Sequence, residues 1–576
     1  MWTNYSKSVE VPVTAVERIT SVDALVHMWG QGGDGTTRVS SGHHDYSYVT
    51  ADGTSLHMLN LDGLRAMEMD SKDASLLIVE PGVTFAMAAT FLETRQRMIR
   101  NMPACNALTL AGAFCMASHG SGYEASVCDH IAAIDVLHAN ASTVAHISAP
   151  EDLKLWAGSM GVLGVITRLW VRTHTLQKVH DIYLFWKTAE ELEAYWKRES
   201  VEEGNTTTLP LAFTKAGVFD QIFWTPVANA SGGHFTLLKR RTPSVGEAAH
   251  LEQTHARSEE TGWAKHVQDP LVPLGAKLVN TLRVWHLMWA AHAAHLTAAA
   301  YDGELKHHGI YNTLFRLNEP TSDTVVRLNK AYDIGEDCEL FFPVKHTVEI
   351  MRILRVYNEL FRLVMTADKI TSDEWRSSTA KPLVDKFKME ARMVECTHDK
   401  AGLYTAPMEV RFLPATSSSA MAPNYNRTCL AISFSWFGST REHHEANRRF
   451  CRFLLVFGWK AFQAVPHLGK FNMLESKSPE DVEVIAGWKQ HYMEGRQALH
   501  AEVARTSERC VTPLLRSFLW SPPAAPEAWS SPPRKSEDVD PAPPRLPAAP
   551  PAAPRLPAAP PAPWSPPRRH EEEHVE

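Results

Sequence analysis

Three segments rich in glycine, serine and histidine restrict most strongly what the first part of this chain can fold into. They are SSGHH (40–44), LAGAFCMASHGSG (110–122) and GSMGVLGVI (158–166). Their small residues let a bound group approach the main chain closely, and their backbone N–H groups suit a pyrophosphate or a flat ring. One such segment is weak evidence, because glycine turns are common. Three of them in one region predict a ligand site built from loops.

The residues around these segments alternate between helix and strand patterns. Apolar residues at helical spacing cover 22–29, preceded by a capping-box pattern that begins at Thr20. A second helix is predicted at 85–96, and a third at 148–158, which opens with Ser148. Strands are predicted at 36–41, 54–61, 75–80 and 161–173, together with a hairpin at 132–148 that turns at Asn140.

The length of the chain predicts more than one folding unit, because 576 residues are too many for one ordinary core. We assign residues 1–176 to a first domain of the α+β class. Residues 177–510 mix long helix and strand patterns and are assigned to a second α+β domain, large enough to cover a site on the first. Residues 511–576 are assigned to a proline-rich tail.

The tail differs from the rest of the chain in composition, most clearly from about residue 521. It holds 18 of the 36 prolines and a near-repeat, APPRLPAAP followed by AAPRLPAAP. Such a segment buries too little apolar surface to offset the entropy cost of ordering, so we expect it to be extended and disordered. The alternative is a ligand for a proline-binding partner.

Composition argues against several partners and locations. The net charge of −7, without a Lys/Arg run, argues against nucleic acid. The eight scattered cysteines form no Cys-x-x-Cys pair, so we predict reduced thiols in an intracellular protein and no metal site. No signal-peptide pattern is present, and the compartment, cytoplasmic or organellar (mitochondrial, glycosomal or peroxisomal), stays open. The apolar window 284–300 is shorter than a bilayer requires, although membrane association also stays open.

Two short motifs match known signatures in the wrong context. GQGGDG (30–35) fits the dinucleotide fingerprint, but it follows a predicted helix and precedes a strand, the reverse of what that site needs. HEEEH (570–574) fits a metalloprotease motif, but it lies in the predicted tail, where no third ligand or cavity is expected. We interpret the first as a turn and the second as a solvated segment.

Six segments, taken in order, resemble the FAD-linked oxidases of the vanillyl-alcohol-oxidase type. Within them they resemble the aldonolactone oxidoreductases, a subgroup that includes L-gulonolactone oxidase and D-arabinonolactone oxidase. The segments are VSSGHH (39–44), AGAFCMASHGSG (111–122), MGVLGVIT (160–167), CELFFPV (338–344), APMEVRF (406–412) and PHLGK (466–470). The resemblance covers residues 1 to about 475. It implies an FAD-binding first domain and a substrate-binding cap as the second.

The resemblance implies that FAD is the cofactor and that His43 is bonded covalently to the flavin ring. A non-covalent contact is the alternative, because some members lack this histidine. His119 is expected to line the FAD pocket, and the residues around it to bind the diphosphate. The residues implied to contact FAD are Ser40, Ser41, Gly42, His43, His44, Pro103, Gly112, Ser118, His119, Gly120, Ser121, Gly122, Gly161, Gly164, Val165 and Ile166.

The strand pattern MEVRF places Glu409 and Arg411 on one face, two residues apart. An acid and a base on an apolar strand are costly unless they are paired or used, and a surface ion pair is the alternative. The resemblance implies that the arginine compensates charge on the reduced flavin and binds substrate oxygen. It implies that the glutamate orients or deprotonates the substrate hydroxyl.

The resemblance adds three more catalytic candidates. Lys470 is implied to be a second cation, with His467 beside it, and Glu339 matches a further acidic position. The family usually has R-P-H-W-G-K, whereas this chain has Val465 and Leu468 at the Arg and Trp positions. The shape of the substrate pocket is therefore expected to differ more than the flavin chemistry.

The predicted activity is oxidation of the C2 hydroxyl of a sugar-acid lactone to ascorbate or an analogue. Pro103 falls where oxidases of the family carry Gly or Pro, which favours oxygen as acceptor and hydrogen peroxide as product. The expected partners are the sugar lactone and oxygen. Alternatives are a dehydrogenase that uses cytochrome c, an alditol oxidase, and an inactive flavoprotein-derived scaffold whose tail binds a partner.

Acid precipitation tests the covalent bond expected at His43. If the bond forms, the flavin absorbance of the purified protein stays with the precipitate, and the flavin-bearing peptide contains residue 43. Release of all flavin into the supernatant would contradict a covalent link. Absence of flavin even after addition of FAD would favour the scaffold.

Overall fold

The computed structural model of the chain describes a defined set of residues, and the structural statements below concern these alone. They are 2–4, 10–30, 36–41, 56–103, 105, 107–124, 126–176, 179–186, 188–202, 209–225, 234–241, 309–311, 335–365, 376, 378–398, 408–437 and 441–520. The chain divides into two units, Met1–Pro523 and Ala524–Glu576, and all described residues lie in the first.

The described residues form strands and helices in both predicted domains. The strands are β1 (Trp2–Thr3), β2 (Glu10–Val11), β3 (Ala15–Arg18), β4 (Thr36–Ser40), β5 (Leu56–Asn60), β6 (Met67–Met69), β7 (Leu76–Val79), β8 (Arg97–Met98), β9 (Ile131–His138), β10 (Ala145–Ile147), β11 (Gly164–Arg172), β12 (His174–Thr175), β13 (Val179–Trp186), β14 (Gln221–Thr225), β15 (His234–Arg241), β16 (Gly309–Tyr311), β17 (Gly335–Pro343), β18 (Met408–Leu413), β19 (Cys429–Phe437) and β20 (Val465–Pro466). The α-helices are Val22–Gly30, Phe85–Glu93, Leu110–Cys115, Pro150–Trp156, Ala189–Glu202, Thr347–Met365, Lys381–Lys386, Glu390–His398, Arg441–Phe462, Pro479–His491, Met493–Arg505 and Pro513–Trp520. Two 3₁₀ turns cover Val127–His130 and Leu211–Phe213.

Two sheets organise the N-terminal part of the chain. β3, β5 and β4 form a parallel sheet, on which the first helix buries Leu25 and Trp29 against Leu59 and Val165. A second, antiparallel sheet has the order β10-β9-β11-β7-β6, and the predicted hairpin is its β9–β10 pair. The strands and helices predicted here are confirmed, and the chain mixes helices and sheets as an α+β protein does.

The starts of two helices differ from the prediction in detail. Ser21, not Thr20, caps the first helix, because its hydroxyl accepts a hydrogen bond from the Ala24 N–H at 3.1 Å. The helix Pro150–Trp156 begins after Ala149 without a side-chain cap, so Ser148 lies one residue too early to fill that role. Pro150 at its first position still suits a helix start.

An eight-stranded sheet carries β13 to β20 in the order β16-β13-β15-β14-β18-β19-β17-β20, while β1 pairs with β2 and β8 with β12. Its neighbouring strands are antiparallel, so alternate residues face opposite sides. One side is apolar: Phe434 of β19 packs against Tyr357 and Phe361 of the helix Thr347–Met365. Burial of this side by helices leaves the other side of the sheet for polar residues.

The C-terminal part of the described chain returns to the first sheet. The Thr37 N–H of β4 donates to the Arg509 carbonyl at 2.9 Å, and buried Arg38 donates to the Cys510 carbonyl at 2.9 Å. The helix Pro513–Trp520 follows and buries three apolar side chains, Leu515, Phe518 and Leu519. The tail predicted to begin at residue 511 is therefore wrong for residues 513–520, because an amphipathic stretch here supplies enough apolar surface to fold.

Several predictions fall on residues that the structure does not describe. They concern the turn after Gly30, the apolar window 284–300, HEEEH, and the proline-rich segment from residue 521. Within the described residues, no helix is long and apolar enough to cross a membrane. The domain boundary predicted at residue 176 falls just before β13 of the eight-stranded sheet, although both sides belong to the unit Met1–Pro523.

Arg509→Ala is expected to destabilise the protein. The Arg509 guanidinium lies 4.2 Å from the centre of the Trp29 ring and donates to the Trp29 carbonyl at 2.6 Å. Loss of these contacts should cost about 1–3 kcal/mol and lower the thermal midpoint in calorimetry. Arg505→Ala, which removes an exposed arginine near Arg509, is the matched control. Equal thermal midpoints for the two variants would contradict a stabilising contact between Arg509 and Trp29.

Candidate active site

The register of the eight-stranded sheet brings polar side chains of four strands onto one face. Arg411 of β18 pairs with Gln221 of β14, and Glu409 pairs with Ser433 of β19. Ser433 in turn pairs with Glu339 of β17 on its other side. Because these positions alternate with apolar ones along each strand, all five point to the side opposite the helices. Three predicted catalytic residues from distant parts of the sequence therefore lie together.

Glu339 is the most buried charged residue of this face, with 1% of its surface exposed. Its Oε1 lies 3.2 Å from Nη1 of Arg411, and its Oε2 lies 3.3 Å from Nε2 of His119. Burial alone would raise the pKa of this carboxyl, but the charges of His119 and Arg411 outweigh it and hold the pKa well below the usual 4.5. The side chain is therefore a carboxylate. It connects His119 of the predicted first domain with Arg411 of the predicted second domain.

Arg411 is held between two carboxylates. Besides Glu339, its guanidinium contacts Glu409, whose Oε2 also accepts a hydrogen bond from Nε2 of Gln221 at 3.1 Å. Burial would lower the pKa of Arg411, but Glu409 and Glu339 outweigh it and raise the pKa, so the cation persists. The predicted Glu409–Arg411 pair is thus a buried, fixed pair and not a surface ion pair.

Lys470 lies in the segment after β20 and contributes to the polar face of the sheet. It has its own acidic partner. Its ammonium contacts the Asp337 carboxylate, whose other oxygen accepts a hydrogen bond from the Ser433 hydroxyl at 2.7 Å. The Phe471 N–H also donates to the Asp337 carbonyl at 2.8 Å, which fixes the backbone beside the lysine. The second predicted cation is therefore placed close to β17 and is charge-compensated there.

The two histidines have different hydrogen-bonding roles. Nδ1 of His467 accepts from the Gly469 N–H at 3.0 Å, and burial lowers the His467 pKa to about 3, so the ring is neutral and its hydrogen lies on Nε2. His119 has acceptor oxygens at both ring nitrogens, the Gly120 carbonyl at 2.9 Å and Glu339 at 3.3 Å. The two rings lie 5.9 Å apart between centres and form one wall with Phe341.

His119, Glu339 and His467 also form a possible cation site, with ligand atoms within 4.8 Å of one another. The chemistry of the group argues against it. The Nδ1 lone pair of His467 is already used by the Gly469 N–H, so the other nitrogen carries the hydrogen and cannot ligate. The adjacent Arg411 cation would repel a metal ion. These three groups are better suited to bind and orient an organic molecule.

The segment predicted to bind the FAD diphosphate is partly used to attach to the sheet. The Ser121 hydroxyl donates to the Asp220 carbonyl and accepts from the Phe412 N–H at 3.1 Å. The Gly122 N–H donates to the Phe412 carbonyl at 2.7 Å, and the Ser118 N–H to the Ala113 carbonyl at 2.8 Å. These three groups are therefore bonded within the protein, and the diphosphate contacts of the segment stay a prediction. The segment instead fastens His119 in front of β18.

Two glycines of this segment are required by close contacts. Gly120 packs against Asn101 and the Met102 carbonyl, where a Cβ would collide. Gly122 has φ +92 and lies against the Val218 carbonyl, so a larger residue would be both strained and blocked. Both glycines therefore serve the close approach of the His119 segment to its protein neighbours.

The other predicted cofactor residues lie around the first two sheets. Ser40 ends β4, and the hydroxyl of Ser41 donates to the Pro81 carbonyl at 3.1 Å. Val165 and Ile166 pair with β9, and in the described ladders β11 meets β7 only from Leu169 onward. Pro103 is buried, and the Gly112 N–H donates to the Thr109 hydroxyl. Gly161 and Gly164 both have a positive φ. The FAD contacts of these residues stay predictions.

His43, the predicted site of the covalent bond to flavin, and its neighbours Gly42 and His44 lie outside the described part of the chain. Gly42, His43 and His44 follow directly after Ser41, the last described residue of this segment. The covalent link therefore stays a prediction.

Sequence reasoning missed Asp337, Ser433 and Gln221. Each contacts a predicted catalytic residue: Asp337 contacts Lys470, Ser433 contacts Asp337, and Gln221 contacts Glu409. The signal for Asp337 was its position two residues before Glu339, which in a strand means the same face. Gln221 and Ser433 carry no such local signal, because only the strand pairing brings them to the site.

Residues 13–146 match the family model described as an FAD binding domain. The N-terminal part of the chain is an FAD-binding domain. FAD is therefore the cofactor, and proteins with this domain are typically FAD-dependent oxidoreductases. The match ends before the strands that carry Glu339 and Arg411, so the substrate has to be argued from the geometry of the site.

The donor set of the polar face fits a flavin. Arg411 and Lys470 are fixed cations, and the Nε2–H of neutral His467 is a donor beside them. Fixed positive charge suits a ring that becomes anionic on reduction.

Glu339→Gln is expected to lower the thermal midpoint at pH 7, because the buried Arg411 cation loses a counter-charge worth about 3–5 kcal/mol. A carboxyl with a depressed pKa stabilises the fold above its unfolded pKa and loses that contribution as the pH falls through the folded value. The difference between wild type and variant should therefore shrink below pH 4.5. Calorimetry from pH 7 to pH 3 checks this, with Glu190→Gln as control, because the Glu190 side chain is 65% exposed. A difference that stays constant over this range would contradict an ionised Glu339.

Proposed function

We propose that this protein is an FAD-dependent oxidase of a sugar-acid lactone. It would oxidise the C2 hydroxyl to a 2-keto lactone, which tautomerises to ascorbate or an analogue, with oxygen as acceptor and hydrogen peroxide as product. The observation that carries the proposal is the buried Glu409–Arg411 pair facing the same side as Glu339 and next to Lys470. An acid–base pair beside fixed cations supplies what oxidation of a carbinol requires.

Bound FAD would supply the acceptor for the hydride that leaves the carbinol carbon. Glu409 would take the hydroxyl proton, and Gln221 and Arg411 hold its carboxylate in place for that step. Arg411 would bind the substrate oxygen, and its charge would compensate negative charge that develops during the reaction. Glu339 does not need to meet the substrate, because it holds Arg411 and His119 in position.

His467 would contribute a hydrogen-bond donor at neutral pH. Its pKa of about 3 keeps the ring neutral, and the Gly469 N–H fixes the tautomer, so the Nε2–H is directed by the fold. A neutral donor can orient a lactone oxygen without adding a third positive charge. Leu468, which is buried, stands where the family has Trp and leaves less aromatic surface near the substrate.

The choice of oxygen as acceptor rests on Pro103, which the resemblance aligns with Gly or Pro of oxidases. Pro103 is buried close in sequence to Asn101, whose side-chain amide donates to the Ser121 carbonyl at 3.0 Å. A dehydrogenase on the same fold is the alternative, and an open-chain polyol is the alternative substrate. Anaerobic reduction by a lactone and by a polyol, each followed by exposure to air, separates these possibilities: slow reoxidation in air would favour a dehydrogenase.

Arg411→Ala is expected to keep bound flavin but to lower turnover of a sugar lactone by about 100-fold or more, since a fixed charge that stabilises the transition state is lost. The measurements are flavin absorbance and peroxide release. Arg505→Ala, on the surface, is the control for loss of one positive charge. Unchanged turnover in Arg411→Ala would remove this residue from the site and with it the main support for the proposal.

A further inference from the structure

Among the described residues, three carboxylates of the polar face have cationic partners. Arg411 is shared by Glu339 and Glu409, and Lys470 is paired with Asp337. Both pairs are largely shielded: the Asp337 side chain is 12% exposed and that of Arg411 is 10% exposed. Ion pairs in such surroundings are screened weakly by salt. The two cations that could attract a substrate carboxylate are therefore already matched by negative charge.

Asp337 is held in its position from three directions. Its backbone carbonyl accepts from the Phe471 N–H at 2.8 Å, and the Ser433 hydroxyl donates to its carboxylate at 2.7 Å. Its other carboxylate oxygen contacts the Lys470 ammonium. A carboxylate fixed in this way cannot turn aside for an incoming anion, so a negatively charged ligand near Lys470 would meet like charge at short range.

From this arrangement we propose that Asp337 is a specificity-determining residue. It neutralises Lys470. The site therefore binds neutral molecules that carry hydroxyl groups in preference to hydroxycarboxylates. The inference rests on the proposed function for the class of reaction. The inference goes beyond the proposed function because it names the residue that selects a lactone over the open-chain acid produced by its hydrolysis.

The lactone and its hydrolysis product form a matched pair of probes. L-Galactono-1,4-lactone and L-galactonate share one carbon skeleton and differ in charge and ring closure. The dissociation constant of the galactonate is measured by perturbation of the flavin absorption spectrum and by the shift of the thermal midpoint, neither of which needs turnover. The kcat/KM value of the lactone is measured in parallel.

Asp337→Asn keeps an oxygen for the Ser433 hydroxyl and removes the charge. We expect it to bind galactonate about tenfold more tightly than wild type, which corresponds to 1.4 kcal/mol. Asp337→Glu, which keeps the charge, should remain selective. The double variant Asp337→Asn with Lys470→Gln should lose the gain, because the cation that attracts the galactonate is then absent. Asp385→Asn, which removes one exposed carboxylate of a surface pair, is the matched control.

The outcomes distinguish this inference from the proposed function. Unchanged or weaker galactonate binding in Asp337→Asn, with flavin content and thermal midpoint retained, overturns the role of Asp337. If the asparagine variant does not fold, Asp337→Ser takes its place with the same expectation. A gain in galactonate affinity in a protein that oxidises no lactone would uphold Asp337 as the determinant of charge selection and refute the proposed activity.

Discussion

The buried carboxylate of Glu339 is the interaction on which the arrangement of the site depends. It lies between His119, which comes from the FAD-binding domain, and Arg411, which comes from the eight-stranded sheet. A charge in this position is costly to bury unless both partners stay in place. Each of the three residues therefore restricts the other two, and the segment that carries His119 must remain close to β18.

The sheet supplies the precision that this arrangement needs. Antiparallel pairing fixes which residues of β14, β17, β18 and β19 are neighbours, and a shift by one residue would turn every polar side chain toward the helices. Stacked aromatic residues on the helix side oppose such a shift, because Phe434 and Phe361 would lose their contact. The apolar core of the sheet thus maintains the register of the polar face.

The candidate site was predictable from the sequence where the signal was local. The period of two in MEVRF placed Glu409 and Arg411 together, and the strand and helix patterns of residues 20–175 agree with the structure to within a few positions. Asp337 and Gln221 could not be found in this way, because a strand pattern does not state which strands are neighbours. The hydrogen bonds of the Ser121 hydroxyl to backbone groups of Asp220 and Phe412 were equally beyond prediction, because these residues are distant in sequence.

The sequence by itself determined the α+β composition and the placement of Glu409 and Arg411 on one face of a strand. These follow from short-range patterns of apolar and charged residues, which act over a few positions of the chain, whereas FAD was indicated by the resemblance of six segments to a known family. Only the tertiary structure decided which carboxylate neutralises which cation, and that Arg509 and Cys510 bond to β4 near the start of the chain. Charge compensation depends on distances between residues far apart in sequence, and those distances are set by strand pairing and core packing.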